Sequence, residues 1–413
     1  MSSYDDDDGE ELVLAVLTGH LSHTASLDLH SPKTADDLEY ILHATTSPAP
    51  SLHTLTLSIP YYAPGAPLSV SNEFMGGVAP LLKRLSLKAC NLPWDSPLLQ
   101  GLTHCELVIP LPLAGNLPLP KFARMLERCP DLEFLRIWRY LSIGNGSVPE
   151  SVELPRLRSL EILSQMPILL QLMSKVKVSN SARINLGIEA GNASPDDVSR
   201  LLALSLPLSE DGKSGRKNPI TVPSLQWSGG EGGFTGLFLN CWDIFPVQDI
   251  QDQPSFTLTR FFAEGTSVDC EENTHAMLKA LSLSSVQALQ LHNMSISSRT
   301  VEQFLSSLPN VVYFRLFTSE TATPFIEMLG RSLGASEDRT IFLPRLNELI
   351  LGKVVFGPAG PGIELKDLLI EKLFLRRDRG VGPKSLVFMG CQGLLKEDIV
   401  KLRMFIPHVV VEN

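Results

Sequence analysis

Apolar residues in this chain recur in one short phrase: an apolar residue, two variable residues, an apolar residue, one variable residue, an apolar residue. It stands as Leu52/Leu55/Leu57, Leu82/Leu85/Leu87, Leu102/Cys105/Leu107, Leu132/Leu135/Ile137 and Leu157/Leu160/Ile162. It returns as Val286/Leu289/Leu291, Val311/Phe314/Leu316, Leu346/Leu349/Leu351 and Ile370/Leu373/Leu375. Weaker copies are Val222/Leu225/Trp227, Phe234/Leu237/Leu239 and Ile406/Val409/Val411. The last two apolar positions of each phrase are two apart, so in a strand they share one face, and the variable residues beside them share the other. The first apolar residue is out of phase with them and marks where the chain turns into the strand.

Between these phrases the period changes to that of a helix. Leu38, Ile41 and Leu42 form one apolar stripe, Phe122, Met125 and Leu126 another, and Leu201 with Leu202 a third. Ser194-Pro195-Asp196-Asp197 predicts the start of that third helix: a cap residue, a first-turn proline and two acids where the helix dipole favours negative charge. Val301, Phe304 and Leu305 repeat the stripe, as do Phe325, Met328 and Leu329 behind Thr323-Pro324.

Strand-then-helix units of this kind cannot bury their faces alone and must stack. The pattern therefore predicts an α/β fold: a leucine-rich-repeat solenoid, an irregular horseshoe with a parallel sheet on its concave face and helices on its convex face. The alternative is an ordinary α/β domain with leucine-rich strands. The phrases fall roughly 20 to 35 residues apart, straddling the usual repeat length of about 20–29. Only Cys90 occupies the Asn/Cys place three residues after a strand, where Pro60, Pro110, Tyr140 and Gln165 stand in other copies, so a regular asparagine ladder is not expected. Residues 190–259 carry the pattern poorly. Glycine-rich stretches there predict loop insertions near 207–220 and 228–233 within one solenoid spanning 12–413.

At 413 residues the chain exceeds the ~250–300 residue ceiling of one compact core, which fits an elongated array. With 44% hydrophobic and 19% charged residues it reads as a folded, core-rich protein. Much of the net charge of −10 comes from Asp5–Asp8, Glu10 and Glu11, and residues 1–11 read as a solvated acidic tail. The remaining body, at about −4, lacks the concentrated basic face that nucleic acid or an anionic membrane surface requires. The six cysteines (Cys90, Cys105, Cys129, Cys241, Cys270, Cys391) form no C-x-x-C pair and no zinc-binding spacing. The apolar run Leu12–Leu17 is too short for a signal peptide, and no stretch reaches the ~18–20 apolar residues of a membrane span. A reducing compartment, cytoplasm or nucleus, is the expectation.

Several phrases resemble those of basidiomycete F-box/leucine-rich-repeat proteins. They are Trp94-Asp95-Ser96-Pro97-Leu98-Leu99-Gln100-Gly101-Leu102-Thr103-His104, Cys129-Pro130-Asp131-Leu132-Glu133-Phe134-Leu135, Glu153-Leu154-Pro155-Arg156-Leu157 and Phe342-Leu343-Pro344-Arg345-Leu346. The resemblance covers most of residues 12–375. It implies repeats that capture a substrate of a ubiquitin ligase, with an F-box that docks a Skp-type adaptor. Nothing in residues 1–20 resembles an F-box, so the resemblance concerns the repeat region, and an adaptor contact is expected only if an F-box lies upstream.

Candidate chemistry is sparse. The chain has no G-x-S-x-G, H-E-x-x-H or G-x-x-x-x-G-K-[ST]. His20, His23 and His30 cluster without a Cys or acidic ligand at useful spacing and read as incidental. Asp36/Asp37 and Asp196/Asp197 sit at helix starts, where the dipole accounts for them. No catalytic, cofactor or metal residue is therefore expected. The variable strand positions carry the better signal: Arg84, Ser86 and Lys88; Phe134, Arg136 and Trp138; Tyr313, Arg315 and Phe317; Phe374 and Arg376. Aromatics and arginine dominate binding energy at protein interfaces, so these positions predict a concave surface for a protein partner. Two other readings stay open: a non-catalytic regulator of an enzyme such as a nucleotide hydrolase, and a structural fragment without its own activity.

Overall fold

The computed structural model describes residues 7–30, 35–59, 67–110, 117–179, 181–189, 194–205, 208–210, 217–219, 224–229, 236–242, 256–261, 271–272, 275, 281, 283–292, 297–317, 322–331, 341–360 and 363–412. They belong to two compact units, residues 1–188 and 189–413. The architecture is mixed α/β, with a large parallel sheet and helices.

In the first unit seven strands lie side by side in chain order. They are β1 (Ser26–His30), β2 (Thr54–Ser58), β3 (Arg84–Lys88), β4 (His104–Val108), β5 (Phe134–Trp138), β6 (Ser159–Ser164) and β7 (Arg183–Ile188). All neighbours are parallel and in strict register, with Leu55, Leu85, Cys105, Leu135, Leu160 and Ile184 in one row. Leu57, Leu87, Leu107, Ile137, Ile162 and Leu186 make the next apolar row. These residues are essentially excluded from water, each worth about 1.5–3 kcal/mol of burial. The repeated phrase thus becomes a stack of core rungs.

The connections explain the uneven spacing. Between β2 and β3 and between β3 and β4 the described residues hold single 3-10 turns, Phe74–Gly77 and Pro97–Leu99, and two short segments, Leu68–Ser69 and Cys90–Asn91, that pair in parallel. Ser96 opens the second by accepting a hydrogen bond from the Leu98 N–H. Longer connections hold α-helices: α1 (Asp7–His20) and α2 (Ala35–Ala44) flank β1, α3 (Leu119–Glu127) precedes β5, and α4 (Met166–Met173) precedes β7. The expected stripes are buried, Leu38/Ile41/Leu42 on α2 and Phe122/Met125/Leu126 on α3. The backbone of Asp7–Glu11 is helical, so the tail reading of residues 7–11 is corrected; Asp5 and Asp6 lie outside the described residues. Acids in a first helical turn complement the dipole, which favours a helix there over a solvated coil.

In the second unit α5 (Pro195–Ser205) starts as its sequence predicts. The Ser194 hydroxyl accepts from the Asp197 N–H at 3.1 Å, and the Asp197 carboxylate accepts from the Ser194 N–H at 3.2 Å, a reciprocal cap. The weak middle region holds antiparallel strands. Leu208–Glu210 pairs with Lys217–Pro219, and β8 (Ser224–Gly229), β9 (Gly236–Trp242) and β10 (Phe256–Phe261) form a meander. Residues 207, 211–216, 220 and 230–233, more than half of each expected insertion, lie outside the described residues. From β8 the sheet continues parallel through β11 (Ala288–His292), β12 (Tyr313–Phe317), β13 (Glu348–Gly352), β14 (Ser385–Met389) and β15 (His408–Glu412). Its helices are α6 (Ser298–Ser306), α7 (Ala322–Leu329), α8 (Leu365–Asp378) and α9 (Lys396–Arg403).

One expected strand is corrected. Ile370/Leu373/Leu375 lies in α8, whose buried stripe is Leu365, Leu368, Leu369, Leu373 and Arg376. The phrase fits a helical face as well, because residues three apart are helix neighbours, and the segment contains no β-branched run. The strand that follows is β14, with Leu386 and Phe388 as its buried pair. Three residues after Phe388, the Cys391 thiol donates to the Leu351 carbonyl at 3.1 Å.

A shared backbone device closes several strands. Ala89, Arg139, Lys353 and Gly390 each follow a strand with φ between 56° and 59°, and each N–H donates to a carbonyl at the end of the next strand, Val108, Leu163, Met389 and Glu412. The left-handed residue adds a rung to the ladder while turning the chain off the sheet.

Candidate functional site

The variable positions of β3 to β6 assemble one cluster on the face opposite the core rungs. Register places Ser86, Glu106, Arg136 and Glu161 in a single row across four strands. Arg136 Nε donates to Glu161 Oε2 at 2.8 Å and Nη1 to Glu106 Oε1 at 2.9 Å, while Ser86 Oγ donates to Glu106 Oε2 at 2.8 Å. The guanidinium carbon lies 5.4 Å from the Phe134 ring centre and 5.6 Å from that of Trp138. Residues two apart on a strand share a face, so Phe134 and Trp138 bracket Arg136 from the same side of β5. His104 stacks on Phe134 with centres 6.1 Å apart. Trp138 remains 36% exposed, next to Leu163 and Val108 in its row.

This wiring sets the electrostatics. Burial alone would raise the Glu106 pKa, but hydrogen bonds from Arg136 and Ser86 outweigh it and hold the carboxyl below its ordinary range. Burial pulls the Arg136 guanidinium down, and its two carboxylate partners more than reverse that. His104 is lowered by burial and by the nearby Arg84 charge. A planar cation held between two acids and two rings is preorganised, with its side-chain entropy already spent. Arg84 and Lys88, also anticipated from sequence, lie exposed on the same face of β3 and add positive charge beside the row.

The second unit presents its own cluster. Tyr313, Arg315 and Phe317 are half-buried on β12. The Phe317 ring stacks on His292 of β11, centres 4.7 Å apart and planes 2° from parallel. It also lies across Gly352 of β13, where a Cβ would come within 2.0 Å of the ring. Glycine there is required for the aromatic to lie flat on the sheet.

Phe374 and Arg376 do not join either cluster, which corrects their assignment to a strand face. Phe374 is on α8, 52% exposed and edge-to-face with Phe405 at 5.8 Å. Arg376 is fully buried. Its Nη1 donates to the Leu329 and Phe342 carbonyls at 3.0 and 2.6 Å, its Nη2 to those of Leu343 and Val381 at 2.6 and 3.2 Å. Burial pushes its pKa down to about 10, so it stays protonated at neutral pH. It fastens the end of α7 and the 342–343 segment to α8, and no partner can reach it.

Sequence reading missed Glu106, Glu161, His104 and His292. All four occupy the same variable strand positions as the anticipated residues, so aligning the repeated phrases column by column would have exposed the Glu–Arg–Glu row. His20 Nδ1 and His23 Nε2 do approach to 2.9 Å, on an exposed turn. Among the described residues no group of three or more His, Cys, Asp or Glu is placed to hold a metal ion, and no helix is long and apolar enough to cross a membrane. No protein-family model matches the chain, and no curated protein matches it either.

Proposed function

We propose that the chain is a leucine-rich-repeat solenoid that serves as a protein-binding scaffold, resembling the substrate-recognition repeats of an F-box protein of a ubiquitin ligase. The repeat assignment is supported by seven parallel strands hydrogen-bonded in chain order, with one apolar phrase filling the same two core rows in most of them. The observation that carries the binding assignment is the Phe134–Arg136–Trp138 cluster. Its arginine is oriented by Glu106 and Glu161 while Trp138 stays partly exposed. Arg and Trp in a fixed, partly desolvated setting are the residue types that anchor interfaces. The partner is a protein, with no cofactor and no catalytic step on this chain.

The test is affinity capture from native lysate with the wild-type chain, with Trp138→Ala, with Arg136→Ala and with Phe374→Ala, each checked for native circular dichroism. Loss of the same captured protein by the first two variants but not by Phe374→Ala supports the assignment. Retention by all three folded variants overturns it.

A further inference from the structure

β15 is the outermost strand of the second unit's sheet, pairing with β14 alone among the described residues. The bonds His408 N–H to Lys384 carbonyl (3.1 Å) and Gly390 N–H to Glu412 carbonyl (2.8 Å) show that residues 408 and 412 turn their backbone groups inward to β14. Backbone groups alternate along a strand, so those of Val409 and Val411 point outward. The Val409 carbonyl takes one bond from Arg403 Nη2 at 3.2 Å and keeps a second lone pair.

The core is also left open at this edge. Val411 continues the row of Leu291, Leu316, Leu351 and Phe388. Those four are at most 1% exposed, whereas Val411 is 48% exposed. On the other face Val410 is exposed, and so are Val400 on α9 and Met404 just after it, the latter 72%. Natural edges are usually blunted by charge, proline or a cover. β1, the edge strand of the first unit, follows that rule with Asp28 at its centre, paired to His30 at 2.7 Å. β15 has valine at its centre.

We propose that β15 pairs antiparallel with β15 of a second copy of this chain, about a two-fold axis through Val410, so that two sheets join edge to edge. The strand His408-Val409-Val410-Val411-Glu412 is complementary to its own reverse. In this register His408 faces Glu412 of the second copy at both ends, an imidazole N–H to carboxylate pair. The outward groups of Val409 meet those of Val411, giving four hydrogen bonds across the axis. Sliding by two residues either way sets Val410 against His408 or Glu412 and loses both polar pairs, so charge complementarity selects the register. The axis stands normal to the sheet and keeps α9 of both copies on one side, where Val400 and Met404 become covered. Such an isologous contact closes on itself as a dimer and does not propagate. This assignment rests on the second unit alone and is independent of the Phe134–Arg136–Trp138 cluster.

The test is light scattering and sedimentation of the full chain from about 1 to about 200 μM, with a dimer forming at a Kd in the micromolar range. Val411→Pro removes an outward N–H and no bond to β14, and Val410→Lys sets two lysines against each other at the axis. Each folded variant is expected to be monomeric throughout. His408→Glu raises the Kd at least roughly tenfold, and adding Glu412→His restores it. Val410 would face its own copy in a non-hydrogen-bonded pair with Cα atoms about 4.5 Å apart, within disulfide range. Val410→Cys is therefore expected to give a dimer on mild oxidation, which the wild type does not. A wild-type monomer over the whole range overturns the proposal. So does a dimer indifferent to Val411→Pro and Val410→Lys, or one in which Cys at 410 fails to cross-link.

Discussion

Replacing Arg376 by leucine is expected to destabilise the second unit by about 3 kcal/mol. The side chain makes four hydrogen bonds to backbone carbonyls, of Leu329, Phe342, Leu343 and the part-buried Val381. From a charged donor each is worth at least about 1.5 kcal/mol, roughly 6 kcal/mol together. Against this stands the cost of burying the cation: depression of its pKa to about 10 corresponds to about 3 kcal/mol. The difference remains after substitution, because leucine fills the volume but leaves the carbonyls without donors. A loss of this size lies at the upper end of what single substitutions usually cost. Arg376→Lys keeps the charge but gathers its three N–H donors at one point, so it should recover only about half. The assay is urea unfolding followed by circular dichroism, with Phe374→Leu as a neighbouring control expected to change little. If Arg376→Leu unfolded within about 0.5 kcal/mol of wild type, the carbonyl clamp would be structurally idle and the correction of Arg376 from contact residue to internal brace would fail.

Three further outcomes follow from the same geometry. Because the Glu106 pKa is held below its ordinary range in the folded state, the stability it contributes is present above the ordinary glutamate value of about 4.3 and is lost as pH falls through the lowered folded value. Urea midpoints of wild type and Glu106→Gln should therefore differ near neutrality and converge in acid; a constant difference would refute the coupling. Lys353 adopts φ 57°, a conformation that costs a non-glycine residue about 1 kcal/mol. Lys353→Gly should raise the unfolding free energy by up to that amount, and a decrease would show that the side chain supplies a compensating contact. Gly352→Ala places a Cβ inside the Phe317 ring, so it should displace that ring and destabilise by about 1–3 kcal/mol. An unchanged near-ultraviolet aromatic spectrum would contradict the packing.

Much of the sheet was legible because its code is local. Where the three-position phrase is complete, as at Leu132/Leu135/Ile137, the strand lies where the phrase puts it. The misses are places where one position is not apolar. β1 has Thr24 and β7 has Ser181 in the first place, and β14 has Pro383, so Leu27/Leu29, Ile184/Leu186 and Leu386/Phe388 passed unread. The same spacing misled at Ile370/Leu373/Leu375, where α8 satisfies it by helix neighbours and only tertiary packing decides. Arg376 looked like a contact residue on a strand face because no sequence signal announces four carbonyl acceptors converging from three segments. The aromatic and cationic half of the Phe134–Arg136–Trp138 cluster could be read from one strand. Its acidic half, Glu106 and Glu161, comes from the two neighbouring strands and becomes visible only once the register is known.

On the proposed function, a protein partner seats on the strand face at Phe134, Arg136 and Trp138. A photo-cross-linking amino acid placed at position 138, with a second chain carrying it at position 374, tests this directly in the presence of a captured partner. The account predicts a covalent adduct from position 138, abolished by Arg136→Ala, and none from position 374. Adducts from position 374 with none from 138 would contradict it.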